Sequence, residues 1–181
     1  YSIDVRDGQL FILTNDDHGN FRLATADLKK PGEWKTLIAG SDRHYLTGIS
    51  LFKDFYVTEG RIDGLDQIEL RDYADPAKIK PIKFAEASYV AGLGDNPEYD
   101  VQKLRLDYES MVTPGTVFDY TVATGTFETL KVQEIPSGYD ASQYQTERVT
   151  ITARDGTKVP VPILSKKGFK KDGSRPLHPY A

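Results

Sequence analysis

Cysteine is absent from the 181 residues. Its absence excludes disulfide staples, thiolate nucleophiles and every Cys-based zinc or iron–sulfur site, so stability must come from packing. Histidine is scarce as well. His18, His44 and His178 lie far apart, and none stands in an H-x-x-x-H or H-E-x-x-H setting, which argues against a histidine-built metal site. No metal and no other cofactor is expected. Positive charge is not in excess either: 23 Lys+Arg face 27 Asp+Glu, a formal net charge of −4. That balance excludes a free-standing DNA-binding domain that works through bulk positive charge, and no nucleic-acid partner is expected. No apolar run approaches the roughly 18 uninterrupted residues of a membrane helix, and Tyr1-Ser2-Ile3-Asp4-Val5-Arg6 lacks the basic head and apolar middle of a signal peptide. No membrane partner is expected. What is present, 39% hydrophobic and 28% charged residues, suits a globular unit with a packed core.

The strongest internal signal is a repeat. Phe11-Ile12-Leu13-Thr14 followed by Phe21–Leu28 reads like Phe55-Tyr56-Val57-Thr58 followed by Asp66–Tyr73, and like Leu104-Arg105-Leu106-Asp107 followed by Gly115–Val122. Leu23, Ile68 and Val117 recur at spacings of 45 and 49 residues, a period that means propeller blades or helical arrays. Apolar Ile68 and Leu70 alternate with Gln67, Glu69 and Arg71, and Phe118, Tyr120 and Val122 alternate with Val117, Asp119 and Thr121. A period of two means strand.

Each unit also offers an earlier strand (Ser2–Val5, Thr47–Phe52, Ser88–Leu93) and a later one (Trp34–Ile38, Ile79–Phe84, Phe127–Val132). Turn signals such as Asp7-Gly8, Asp63-Gly64 and Thr124-Gly125 divide them. Four short antiparallel strands, repeated, describe a β-propeller blade; an ordinary β-sandwich with coincidental spacing is the alternative. The predicted fold is all-β: about three four-stranded antiparallel blades over residues 1–135.

The rhythm stops near Ile135. After a linker over 136–146 comes Arg148–Ala153, the turn Arg154-Asp155-Gly156-Thr157, and Lys158–Leu164, a hairpin signal. Pro160 and Pro162 lie two apart, so both missing N–H donors fall along one lateral edge, and the second strand should be exposed or bulged there. Propellers close with roughly four to eight blades, so three cannot complete a ring. The expectation is a piece of a longer protein, with Arg175–Ala181 ending in mid-pattern.

Asn15-Asp16-Asp17 with Asn20-Phe21-Arg22-Leu23, then Leu93–Asp100, and Tyr108–Pro114 through Val117-Phe118-Asp119-Tyr120 resemble the later propeller blades of the prolyl oligopeptidase family of serine peptidases. Gly138–Tyr144, Glu147-Arg148 and Ala153–Val161 are similar to that family's passage from propeller into its α/β-hydrolase domain, and within the family the chain most resembles oligopeptidase B. The resemblance implies a seven-bladed propeller that gates access of short peptides to a Ser-His-Asp triad, with cleavage after Arg or Lys. It also implies residues 147–181 as the start of the hydrolase domain, and short peptides, the remaining blades and the rest of that domain as partners. The cytoplasm is the expected compartment, with the periplasm as the alternative.

The family's G-x-S-x-G elbow is absent. Gly48-Ile49-Ser50-Leu51-Phe52 lacks the second glycine and lies on a predicted strand. Tyr180 aligns with the first tyrosine of the family's Tyr-x-Tyr-Gly oxyanion segment, although His178-Pro179 departs from its apolar pattern. The chain is expected to be inert alone. A non-enzymatic propeller segment serving as a protein-interaction scaffold is the reading from a different class.

Topology singles out candidate site residues. The chain leaves a blade at the end that carries the loops between second and third strands, so Thr14–Asn20, Glu59–Leu65 and Asp107–Thr113 should face the next domain. Asp16, Asp17, Arg61, Asp63 and Glu109 on these loops are the candidate substrate-rim or interdomain residues; Asp, Asn and Gly as simple turn formers are the plainer alternative. Gly92-Leu93-Gly94 lacks the crossover helix of a dinucleotide loop, and adjacent Asp16-Asp17-His18 rarely converge on one ion.

Overall fold

The computed structural model describes residues 1–180. Three four-stranded antiparallel sheets follow one another. The first holds β1 (Ser2–Arg6), β2 (Gln9–Thr14), β3 (Arg22–Asp27) and β4 (Lys35–Ile38); the second β5 (His44–Leu51), β6 (Phe55–Ile62), β7 (Leu65–Asp72) and β8 (Ile79–Pro81); the third β9 (Val90–Leu93), β10 (Lys103–Glu109), β11 (Thr116–Thr121) and β12 (Thr126–Val132). In each sheet spatial order equals chain order, the meander of a propeller blade. The Asp7-Gly8 and Asp63-Gly64 turns place both residues at positive φ, which is the two-residue geometry whose twist matches the flanking strands. The repeat extends to irregularities: the β3–β4 and β11–β12 ladders both shift register after the second residue of the third strand, at Leu23/Ala24 and Val117/Phe118.

Alternation decides what each blade buries. One face of the first blade (Phe11, Leu13, Leu23) packs against Leu46, Tyr56, Ile49 and Leu51 of the second. The opposite face of the second blade (Val57, Ile68, Leu70) packs against Leu104, Leu106 and Tyr120 of the third. Leu23, Ile68, Leu104 and Leu106 are fully buried, and truncating any of them to alanine costs about 2–5 kcal/mol. The two outward faces differ in kind. The first blade ends in Ile3 and Val5, each 50% exposed, whereas the third ends in the paired charges Arg105–Asp119 and Lys103–Glu128.

Polar groups fasten the junctions. β1 packs on β5 and β9 on β7, so first strands sit at the hub of the fan. The open edge of β9 donates Ala91 N–H to Asp66 (3.1 Å) and Leu93 N–H to Glu59 (2.7 Å), both on the second blade. The Glu59 carboxylate fits because Gly48 and Gly92 flank it; a Cβ on either would lie 3.3 or 3.1 Å from its oxygens. Burial raises the Glu59 pKa against the opposing pull of the Leu93 N–H. Between the first two blades, Arg71 and Glu69 pair at 2.6 Å with both side chains nearly inaccessible, and Arg71 also donates to Thr58 (3.1 Å). Arg6 stacks 3.8 Å over the Tyr73 ring and donates to Lys53 O.

Beyond the third blade, a short 3-10 turn (Ala141–Gln143) leads into β13 (Tyr144–Thr152) and β14 (Lys158–Lys166), a two-stranded sheet by themselves. Both strands are longer than the sequence suggests. Pro160 and Pro162 oppose Thr150 and Arg148 in an unbroken register, so β14 is laterally free at its prolines and carries no bulge there. Residues 167–180 carry no strand, so His178-Pro179 and Tyr180 lie on irregular chain.

Candidate functional site

The β13–β14 hairpin stands against the blade ends from which the chain leaves. Arg148 donates from Nη2 to the Asp63 carbonyl in the β6–β7 turn. Pro160 lies over Gly64, where an added Cβ would come within 3.3 Å of its ring. The Tyr139 hydroxyl donates to Val112 O (2.8 Å) in the loop after β10. Strand alternation and register place Arg148, Thr150, Thr152, Lys158 and Pro160 on one hairpin face, the face turned to the blades. The other face carries Val149, Ile151, Val159, Val161 and Ile163.

Between hairpin and blades lies a cleft of about 650 Å³, lined by Asn20, Tyr45, Gly64 and Pro160 and by a ring of charges: Asp42, Arg43, Arg61, Asp63, Arg148 and Lys158. Arg61 and Asp63 thus meet in one site, through different partners. Arg43 clamps Asp63 bidentately (Nε to Oδ1 3.0 Å, Nη2 to Oδ2 2.5 Å), and this hydrogen bonding holds the Asp63 carboxyl below the usual carboxylate range. Arg61 pairs through Nε with Asp66 (2.9 Å), the same carboxylate that caps the Ala91 amide.

The other candidates lie elsewhere. Asp16 is held by both carboxylate oxygens against Arg22 (2.8 and 2.7 Å), which lowers its pKa. Asp17 is exposed beside it, with no ion pair among the described residues. Glu109 ends β10 opposite Val90, on the outward face of the third blade. His18 accepts the Asn20 N–H at Nδ1 (3.0 Å) and approaches Asp42 with Nε2 (3.3 Å), which assigns the neutral ring its proton on Nε2.

Sequence reasoning missed Arg43, Arg148 and Lys158. The period-two pattern of 148–164 was the available signal, because it already sets Arg148 and Lys158 on one face. A second missed group is Glu86, whose carboxylate accepts hydroxyls from Tyr108 (3.0 Å), Ser110 (2.5 Å) and Thr113, tying the β8–β9 connection to the loop after β10. Burial raises the Tyr108 hydroxyl, which stays a donor. Ser50, the nearest approach to a nucleophile motif, sits within β5 opposite Val57, where no sharp turn exposes its hydroxyl. The arrangement can orient and hold a neighbouring domain or a charged ligand; it contains no activated nucleophile.

The family description "Prolyl oligopeptidase, N-terminal beta-propeller domain" matches residues 1–133. The chain is 38% identical to dipeptidyl aminopeptidase BI of Pseudoxanthomonas mexicana over 185 aligned residues, covering 100% of this chain and 25% of the relative. It is 29% identical to protease 2 of Moraxella lacunata, covering 99% and 26%. Among solved structures, oligopeptidase B from Trypanosoma brucei, in a closed form with covalently bound antipain, superposes with a TM-score of 0.82 at 27% identity over 94% of this chain and 25% of that one. Oligopeptidase B from Leishmania major gives 0.79 at 27% identity, over 95% and 26%. The chain therefore spans about a quarter of the length of the relatives it matches. With its three-blade fan and its match to the propeller domain, this chain belongs to the prolyl oligopeptidase family of peptidases.

Proposed function

We propose that the chain is the propeller-to-hydrolase portion of a serine oligopeptidase that cleaves short peptides after Arg or Lys, with the propeller gating access to a triad carried outside these residues. Residues 1–135 are its blades, 136–146 the linker and 147–181 the opening of the α/β-hydrolase domain. One observation carries this reading: the hairpin turns its polar face onto the blade-exit loops, through Arg148 on Asp63 and Pro160 on Gly64, while its valines and isoleucines point the other way. A hairpin that is apolar on its outward side is the natural first layer of a second packed domain. An interaction scaffold has no need of it.

In this reading Arg61 and Asp63 act at the interdomain seam, and Asp16, Asp17 and Glu109 belong to the substrate-rim or interdomain surface of a cytoplasmic enzyme. The test uses a fluorophosphonate probe on the full-length protein and on the 181-residue chain, with matched peptides carrying Arg, Lys or Pro before the scissile bond. Labelling of the full-length protein alone, with turnover of the Arg and Lys peptides, is the expected result. Absence of labelling in both proteins removes the peptidase reading, and turnover confined to the Pro peptide removes the specificity.

A further inference from the structure

The cleft between hairpin and blades is cationic in a chain whose overall charge is negative. Four of its lining side chains are basic (Arg43, Arg61, Arg148, Lys158) and two are acidic (Asp42, Asp63). Pairing neutralises the two blade arginines and leaves the two hairpin cations uncompensated. Arg43 uses Nε and Nη2 on Asp63, and Arg61 uses Nε alone on Asp66. Arg148 meets only the Asp63 carbonyl, and Lys158 only the Thr152 hydroxyl (2.6 Å). Neither Arg148 nor Lys158 has a carboxylate within salt-bridge distance among the described residues. A guanidinium offers five N–H donors in a fixed fork, so all three arginines keep unengaged N–H donors. Tyr45, Gly64 and Pro160 supply less polar wall. A volume of about 650 Å³ falls within the range of small-ligand sites, and low-dielectric walls around like charges concentrate the field in the gap.

We propose that this seam is a carboxylate subsite, with Arg148 and Lys158 binding an acidic group of the peptide substrate. The carboxylate comes either from a free C-terminus or from an Asp or Glu side chain. The inference rests on the peptidase reading above and adds to it a preference among substrates. At this seam the blades and hairpin together select for negative charge. Arg148 and Lys158 both stand on the hairpin, but the facing wall of the cleft, with Arg43 and Arg61, belongs to the blades, so the subsite is enclosed only while hairpin and blades are docked.

The experiment uses the full-length enzyme and two sets of peptides sharing one cleavable Arg. One set differs only in a C-terminal acid or amide, the other only in Glu or Gln. At low ionic strength kcat/KM for the acid member should exceed its neutral partner by about three- to fivefold, the size of one partly exposed ion pair. The set that shows the preference identifies the source of the carboxylate. The ratio should fall toward one in K158Q and R148Q, and in the wild-type enzyme at high salt, whereas K167Q, a charge loss outside the cleft, should leave it unchanged. Equal turnover of both members of each set by the wild-type enzyme overturns the proposal, as does a preference that survives the R148Q/K158Q double variant. Failure to cleave any peptide instead removes the peptidase reading itself.

Discussion

Replacing Arg71 by methionine should loosen the junction of the first two blades by an amount that depends on pH. In the wild type the guanidinium meets the Glu69 carboxylate at 2.6 Å, with side-chain exposures of only 6% and 10%. Taking away one partner of a buried pair costs about 3–5 kcal/mol, because the other charge is left without compensation. A carboxylate can escape by taking a proton. For an ordinary carboxyl near 4.3, that costs about 3.7 kcal/mol at pH 7 and about 1.4 kcal/mol less for each unit of acidification. Protonation therefore limits the charge part of the R71M penalty to about 4 kcal/mol at pH 7 and about 1 kcal/mol at pH 5. The reciprocal E69L variant strands a guanidinium, which has no such escape, so its penalty should not shrink.

The assay is native-state hydrogen exchange of β6 and β7 amides in the full-length protein, read as protection relative to wild type at the same pH. At pH 7, R71M should lose protection by about 500-fold where opening of this junction governs exchange. A loss under tenfold, or one equal at pH 5 and pH 7, would refute the argument that an unpaired buried charge sets the cost.

Three further outcomes follow from neighbouring residues. Burial, the leading cause, holds the His44 pKa below its ordinary 6.5, so the unfolded chain binds the proton first; protection in β5 and β6 should fall as pH drops from 6.5 toward the lowered value, and H44Q should flatten that slope. Glu59 has the opposite sign: its raised pKa makes the native state bind the proton first, so its contribution worsens as pH rises from 4.5 through the raised value. E59Q, which keeps an acceptor for the Leu93 N–H, should remove this slope and leave neutral-pH stability unchanged or improved, as measured by thermal unfolding. Gly60→Ala would set a Cβ 2.5 Å from the Tyr45 carbonyl; it should cost about 1–3 kcal/mol of overpacking, visible as faster exchange in β5.

Blades were legible because a strand half-buried between two neighbours must alternate, and the alternation of Ile68 and Leu70 against Glu69 and Arg71 repeats at Phe118 and Tyr120. Turn chemistry fixed the joints: Asp63-Gly64 reads as a two-residue turn from composition alone, and the positive φ values agree. The free lateral edge of β14 followed from two missing amides. Charge pairing was not legible. Arg22 reaches Asp16 across the β2–β3 loop, Arg43 reaches Asp63 from a different loop, and Asp66 faces both Arg61 and the next blade. These depend on how sheets stack, which local pattern does not encode. Strand ends slipped for a related reason. β8 stops at Pro81, although Ile82 still donates to Ile68 O, and β13 begins at Tyr144, ahead of the alternation that marks its middle.

The carboxylates of Glu59 and Asp66 do more than join two blades. An open strand edge is an adhesive, ready to zip onto any extended chain that drifts past. At β9 the donors of residues 91 and 93 are already occupied, so an unfolded peptide sliding along the hub finds no ladder to extend there. Fastening one wedge to the next leaves that inner wall non-stick.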